Sequence, residues 1–342
     1  MSRGISSRME RNRASHARRR TIRCQMQIIP ELQWRGLIHQ TTDGLIEHLQ
    51  TKRTVYLGID ATADSLHVGH LVMLLTLRRF QQAGHRTIVL IGDATGMIGD
   101  PSGKNEERKL LNQVDVGMNA FSITEQITRL VSVIVVNNLD WMRDYRYLDF
   151  LRYVGKHFPV NVMLTKDSVK SRMESGLSYT EFSYMLLQAY DFVKLWGNYG
   201  CTLQIGGSDQ WGNITAGIDL ARRMDGEQLY GLTCPLLTKS DGTKMGKTEN
   251  GALWLDANKT SPYDFFQYWV NIDDADVRQC LCFFTDLDMN EINALMARHE
   301  SDPCKRIAQR RLAMELTNRV HHGTPRFGTI HRSRLDLSTV RA

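Results

Sequence analysis

The sequence predicts an α/β fold built on a Rossmann-like parallel sheet, on three observations. Thr54-Val55-Tyr56-Leu57 reads as a short strand, Leu71 to Gln82 as a helix with apolar residues at 71, 74, 75 and 77, and Ile88-Val89-Leu90-Ile91 as a second strand. Strand, helix and strand within about 40 residues make a βαβ unit, whose two strands are parallel. The composition, 42% hydrophobic and 23% charged with seven prolines, is that of a globular chain with a core. No apolar run approaches the ~20 residues that span a bilayer, so no membrane partner is expected.

In a parallel sheet, ligands bind at the carboxyl ends of the strands. Asp60, Thr62, Asp64, His67 and His70 follow the first strand and are therefore placed for chemistry. His67-Val68-Gly69-His70 opens the helix, where unpaired N–H groups and the positive dipole end favour an anion. Two imidazoles three residues apart add donors on the same side, and Gly69 leaves room for a bulky ligand against the backbone. These features suit a phosphate-bearing ligand; two surface histidines that merely cap a helix are the alternative.

The net charge of +6 is distributed unevenly. Residues 1–23 hold eight arginines and one glutamate, and residues 304–342 hold nine Lys or Arg and two acids. With +7 at each end, the body carries −8, so the overall pI says little about nucleic-acid binding by the body. The Arg- and Ser-rich first segment matches an organelle transit peptide and predicts a mitochondrial matrix protein. A basic RNA-binding tail on a cytoplasmic protein is the other reading. Cysteines 24, 201, 234, 280, 282 and 304 show no Cys-x-x-Cys spacing, and Cys280-x-Cys282 is too short for a zinc knuckle. Reduced intracellular thiols and no metal site are expected.

Further along, Leu37 to Leu49 has helical spacing. Gly92 to Lys104 carries four glycines and one proline and reads as a loop. It is no Walker A sequence, because Asn105 follows Lys104 where Ser or Thr is required. Asp100 is a candidate ligand for a cation or amine, and Lys104 and Arg108 for phosphates. Ile123 to Val135 reads as a helix or a helix running into a strand, Asn137 to Trp141 as a turn, and Phe150 to Leu164 as a helix that packs on a core or a partner subunit.

Ser178-x-x-Glu181 is a capping-box pattern. In the apolar helix behind it, Tyr184, Gln188 and Asp191 share one face. A donor, an amide and a carboxylate on such a helix are costly to bury unless satisfied; a solvent-facing stripe is the alternative to a pocket wall for a small polar ligand, which the polar glycine-containing loop after the next strand favours. Gln204 to Asn213 is a second glycine-containing polar loop, where Gly206-Gly207 permits close backbone approach and Asp209 can accept from a ribose hydroxyl. Leu236 to Thr248 is a basic turn whose Lys244 and Lys247 suit a polyphosphate, although a loop of this kind taken alone is more often a solvated turn.

His-x-Gly-His near the first strand, paired with Lys244-Met245-Gly246-Lys247-Thr248 about 175 residues later, resembles the paired signature of class I aminoacyl-tRNA synthetases. Tyr56 to His70, Ile98 to Lys104, Glu181-Phe-Ser-Tyr184 and Gln204 to Asn213 resemble the bacterial-type tyrosyl-tRNA synthetases, and the likeness covers roughly residues 30–320. The resemblance implies ATP as substrate, with Mg2+ on the ATP and no tightly bound cofactor. His67 and His70 would stabilise the α-phosphate, and Lys244, Lys247 and Thr248 would hold the leaving pyrophosphate, helped by Lys104 and Arg108. Tyr56 and Asp191 would bind the phenol of tyrosine. Asp100, Tyr184 and Gln188 would hold its ammonium, and Asp209 would contact the ribose. Gly58, Asp60, Thr62, Gly69, Gly207, Gln210 and Met245 would line the site.

The resemblance also implies tRNA(Tyr) as partner and a homodimer. It divides the chain into a basic leader (1–30), a catalytic domain (31–262), a partial helical anticodon-side domain (263–323) and a basic tail (324–342). The likeness fades after Gly323, so a C-terminally shortened member is expected. Leu57 stands where relatives often carry a cysteine on the ribose, and Met245 where they often carry Phe. An impaired homologue acting as an RNA-binding protein is the reading from another class. A tryptophan-specific relative is disfavoured by Tyr56 and Asp191, and a nucleotidylyltransferase by the Tyr184–Asp191 helix.

Overall fold

The structure, a computed structural model, describes residues 28–102, 110–173, 176–248 and 251–321. The leader and the basic tail of the sequence reading lie outside these residues, apart from Ile28, Ile29 and Pro30. The chain enters through helix α1 (Ile28–Trp34), a short strand β1 (Gln40–Thr41) and helix α2 (Leu45–His48). The helix expected over 37–49 is thus confined to its last turn, because Gly44 sits at φ 75°, a left-handed conformation that no helix propagates through.

The expected βαβ unit is present and longer at each element: β2 (Thr54–Asp60), α3 (Val68–Gln82) and β3 (Arg86–Gly92). β2 and β3 pair in parallel, Thr54 opposite Arg86 and Asp60 opposite Gly92. The stretch expected as a loop after β3 opens with helix α4 (Asp93–Ile98). Asn138 explains the difference: its Oδ1 accepts from the Ala94 N–H at 2.8 Å, while Gly99 at φ 88° ends the helix. That cap arrives from 44 residues away and has no local signature.

Helix α5 (Gln113–Leu130) begins well before Ile123 and is followed by strand β4 (Ile134–Asn137), so both halves of the helix-or-strand reading are present. The turn expected at 137–141 contains helix α6 (Leu139–Met142). The single helix expected over 150–164 is instead α7 (Tyr147–Tyr153), a 3-10 turn at Gly155–His157 and α8 (Val160–Met163), interrupted by Gly155 and Pro159. Helix α9 (Asp167–Met173) precedes the long α10 (Tyr179–Tyr199), followed by β5 (Cys201–Gly207), α11 (Trp211–Asp225) and β6 (Tyr230–Cys234). A small antiparallel pair, β7 (Lys247–Thr248) and β8 (Gly251–Ala252), leads to helices α12 (Pro262–Val270), α13 (Asp274–Phe284), α14 (Met289–Ser301) and α15 (Ile307–Val320).

The main sheet has the order β1-β6-β5-β2-β3-β4, parallel throughout except at β1–β6. From β2 the chain winds outward through β3 and β4, then returns to build β5 and β6 on the other side. The direction reverses between β2 and β5, and a crevice opens at the carboxyl ends of those two strands. Leu57 and Ile59 of β2 point into the core with Leu71, Leu74 and Leu75 of α3, while Tyr56 faces the second apolar cluster with Ala189 and Phe192 of α10. Phe265, Trp269, Phe283, Phe284 and Leu312 of the C-terminal helices join the first core. Two buried guanidiniums strengthen that seam: Arg35 donates to the carbonyls of Cys282, Thr285 and Leu287, and Arg79 to those of Phe283 and Thr285. They satisfy the carbonyls that α13 leaves open at its end. Among the described residues no helix is long and apolar enough to cross a membrane.

Half of the capping box at Ser178 forms. Ser178 Oγ accepts from the Glu181 N–H at 3.2 Å, but the Glu181 carboxylate turns to Arg172 at 2.8 Å, and both partners are buried. Removing one member of a buried ion pair strands the other charge, so Glu181→Ala is expected to destabilise the protein by about 3–5 kcal/mol in urea unfolding. A change within half a kilocalorie of zero would show that the pair does not anchor α10.

Candidate active site

Helix α3 is capped by its own histidines. His67 Nδ1 accepts from the Gly69 N–H at 3.1 Å, and the His67 N–H donates to His70 Nδ1 at 3.3 Å. In the neutral rings both protons therefore sit on Nε2. The rings stack with centroids 4.0 Å apart, which places two N–H donors side by side. Two expectations are corrected here. The space at Gly69 is used by the protein itself, since a Cβ there would lie 2.9 Å from His67 Cε1. The first amides of the helix are not unpaired: Val68 N–H donates to the Leu253 carbonyl at 3.1 Å and His70 N–H to the His67 carbonyl at 2.9 Å. An anion here would be held by the imidazoles, with the helix dipole adding to the field.

Tyr56, Gly58 and Asp60 share the face of β2 that meets α10. Asp60 Oδ1 accepts from Thr95 Oγ1 at 2.7 Å, and Oδ2 accepts from the Tyr184 hydroxyl at 2.8 Å. Asp191 is buried, with Oδ1 accepting from Trp141 Nε1 at 2.9 Å and Oδ2 from Asn138 Nδ2 at 3.0 Å. Burial pushes its carboxyl up to about 7, against the lowering effect of those two donors. The Tyr56 hydroxyl is buried with no hydrogen-bond partner, and burial together with the nearby Asp191 charge holds the phenol well above its ordinary pKa. Oε1 of Gln188 and of Gln204 are buried without partners too, and Gln204 is the register partner of Tyr56 across β2–β5. Each such atom costs ~1–3 kcal/mol, and a polar ligand seated beside Tyr56 and Gln204 would satisfy theirs.

Asp100 joins the same pocket. Its Oδ1 accepts from the Ser102 N–H at 2.9 Å and its Oδ2 from Gln210 Nε2 at 2.7 Å. Gln188 Nε2 reaches Gln210 Oε1 at 3.4 Å. Asp60, Asp100 and Asp191 all lie close enough to the Tyr184 hydroxyl to raise its pKa further. Three carboxylates around one buried phenol favour a cationic group such as an ammonium. Gly58 is the exposed residue in the middle of this buried strand, and a Cβ there would meet open space.

The basic turn lies beside the histidines. Lys239 N–H donates to the Thr243 carbonyl at 2.8 Å, Met245 N–H to the Leu237 carbonyl at 3.0 Å, and Thr238 bridges Lys244. Lys244 and Lys247 are exposed, whereas the Met245 side chain, expected to face the nucleotide, turns into the core. An isolated bridge pairs His67 with Trp254, which brings the strand after the turn against the start of α3.

Of the remaining residues proposed from sequence, Thr62 is half-buried in the loop after β2, Asp209 is exposed in a 3-10 turn (Ser208–Gln210), and a Cβ at Gly207 would lie 2.7 Å from Asp209 Oδ1. Thr248 enters the site region as backbone of β7. Lys104 and Arg108 lie outside the described residues. Thr95, Asn138 and Trp141 were not singled out by sequence, yet they hold Asp60 and Asp191. The signal for two of them was the polar run Asn137-Asn138-Leu139-Asp140-Trp141 directly after an apolar strand.

The switch point of the sheet, the imidazoles at a helix start, the basic turn beside them and the buried polar pocket thus share one cleft of an α/β fold. The sequence signature described as tRNA synthetases class I (W and Y) matches residues 48–329. A protein named Tyrosine--tRNA ligase from Rhodopirellula baltica is 56% identical over 305 residues, 86% of this chain and 70% of the relative. The protein of the same name from Geobacillus stearothermophilus is 55% identical over 307 residues, 86% of this chain and 73% of the relative. The crystal structure of a C-terminally truncated Aspergillus nidulans mitochondrial tyrosyl-tRNA synthetase superposes with a TM-score of 0.78 at 31% identity, covering 86% of this chain and 89% of that one. The chain belongs to the class I tRNA synthetases of the W and Y family.

Proposed function

We propose that this chain is a tyrosine–tRNA ligase, which joins tyrosine to ATP as tyrosyl-adenylate and passes the tyrosyl group to tRNA(Tyr). One observation carries the choice of amino acid: the partnerless, buried Tyr56 hydroxyl beside the Asp191 carboxylate. A substrate phenol donates to Asp191 and accepts from Tyr56, while phenylalanine leaves the Tyr56 hydroxyl unpaired and offers Asp191 nothing beyond Trp141 and Asn138. Asp100, Tyr184 and Gln188 take the ammonium, with Asp60 and Gln210 behind them. A tyrosine carboxylate oxygen attacks the α-phosphorus, the bond to the β-phosphate oxygen breaks, and pyrophosphate leaves. His67 and His70 stabilise the charge on the α-phosphate, and Lys244, Lys247 and Thr248, with Lys104 and Arg108, hold the departing pyrophosphate. Gly58, Gly207 and Asp209 line the nucleotide side. Mg2+ arrives on the phosphate oxygens of ATP.

The decisive experiment is transfer of labelled tyrosine to tRNA by the purified protein, together with tyrosine-dependent pyrophosphate exchange. Exchange without transfer would confine the activity to the first half-reaction; absence of both would refute the reading.

Asp191 makes the reaction pH-dependent. Burial pushes its carboxyl up to about 7 in the folded protein from an ordinary value of 3.8. The ionised form accepts the substrate hydroxyl more strongly than the neutral acid, so kcat/KM for tyrosine is expected to rise as pH passes through about 7 and to level off above. Asp191→Asn should abolish that limb. The stability consequence has the opposite sign: the folded state retains a proton that the unfolded chain releases, so this contribution is complete below about 3.8 and is lost as pH rises through about 7.

The protein is further proposed to act in the mitochondrial matrix as a homodimer. The Arg-rich first 23 residues support the location, and a reporter fused to residues 1–35 should enter mitochondria; diffuse cytosolic signal would refute it. Large apolar side chains exposed between 147 and 179, among them Tyr147, Leu148, Tyr153 and Tyr179, support a second copy packing there. Sedimentation should give a dimer.

A further inference from the structure

The turn that carries Lys244 and Lys247 is held by the C-terminal helices. Tyr268 of α12 accepts the Gly246 N–H on its hydroxyl at 2.8 Å. The Gly246 carbonyl accepts from the Leu253 N–H at 2.7 Å, and the Leu253 carbonyl accepts from the Val68 N–H at 3.1 Å. A continuous run of hydrogen bonds thus leads from α12, through the basic turn, to the first residue of the helix capped by His67. At the other end of the turn, buried Asp276 of α13 accepts the Ser240 N–H at 2.7 Å. Between these ties, Met245 is buried with its Sδ 3.4 Å from Cys280 Sγ of α13. Gly246 stands at φ 83°, and a Cβ there would meet Val68 Cγ2 at 2.3 Å, so the turn passes the start of α3 at the closest possible range.

The lysines must meet phosphates that the histidines also contact, and an exposed turn with two long side chains has many other places to be. We infer that Tyr268 and Asp276 are positioning residues, through which the C-terminal helices set the lysine turn against His67 and His70. The inference rests on the reading of the site as adenylate-forming. Neither residue touches substrate; both act through the backbone of the turn.

The test uses the full chain with Tyr268→Phe, which removes one hydroxyl and keeps the ring. Exchange of the Gly246 and Leu253 amide hydrogens should accelerate about five-fold, the loss of one ordinary hydrogen bond. In tyrosine-dependent pyrophosphate exchange, kcat should fall about five-fold while KM for tyrosine is unchanged, because the tyrosine pocket is not part of the tie. Asp276→Ala should act in the same direction and Asp276→Asn should restore the rate, since an amide oxygen still accepts from Ser240. Amide exchange unaltered in Tyr268→Phe, or a tyrosine KM that shifts in step with kcat, would overturn the inference. A wild-type chain inert in pyrophosphate exchange would defeat the functional reading, and amide exchange would still decide whether Tyr268 holds the turn.

Discussion

Asp191→Ala is expected to lower kcat/KM for tyrosine by about a hundredfold while leaving that for phenylalanine within a few-fold, because a hydrogen bond to a charged group is worth roughly 1.5–3 kcal/mol. The expectation rests on how the carboxylate is held. Trp141 and Asn138 each donate to one of its oxygens, at 2.9 and 3.0 Å, and fix it beside the Tyr56 hydroxyl. Each oxygen keeps a lone pair for a further donor. In the proposed pocket the substrate phenol would supply that donor and phenylalanine would not, so the substitution should remove the difference between them. Steady-state pyrophosphate exchange with the two amino acids measures it. Discrimination equal to that of the wild type would remove Asp191 from the specificity pocket. A parallel loss for both amino acids would assign it a structural role.

His67→Asn is expected to lower the rate of adenylate formation by about 10²-fold with tyrosine binding unchanged, the loss that follows removal of one preorganised donor from a developing oxyanion. Asparagine is chosen because it remains a good N-cap, so α3 keeps its start while the imidazole Nε2–H is gone. Replacement by alanine would mix the catalytic loss with roughly 1 kcal/mol of lost capping. Rapid-quench measurement of the first turnover gives the rate, and equilibrium tyrosine binding gives the control. A wild-type rate in His67→Asn would leave the α-phosphate to His70 and the lysines alone.

Much of this site was legible in the order of the residues. Apolar periodicity placed β2, α3 and β3, and the polar residues after each strand followed from where parallel sheets bind ligands. Tyr184, Gln188 and Asp191 were readable as one face because their spacing is helical and their neighbours are apolar. The misreadings came from partners that the pattern of residues does not show. Helix α4 looked like a glycine-rich loop because its cap, Asn138, comes from after β4. The expected opening at Gly69 and the unpaired amides of α3 were local inferences, and a remote carbonyl, Leu253, and the ring of His67 itself overturned them.

Local pattern was sufficient for the α/β class and for the helix that carries Tyr184, Gln188 and Asp191 on one face, because periodicity and chemical type are properties of neighbouring residues. Partners were a matter of the folded chain. That Asp60 binds Tyr184 and Thr95, that Asn138 and Trp141 hold Asp191, and that Tyr268 and Asp276 grip the lysine turn are contacts between residues separated by 22 to 124 positions. Strand order brings the pocket groups together: the reversal between β2 and β5 sets two distant carboxyl ends side by side, and burial there fixes which polar groups pair with each other and which, like the Tyr56 hydroxyl, stay without a partner.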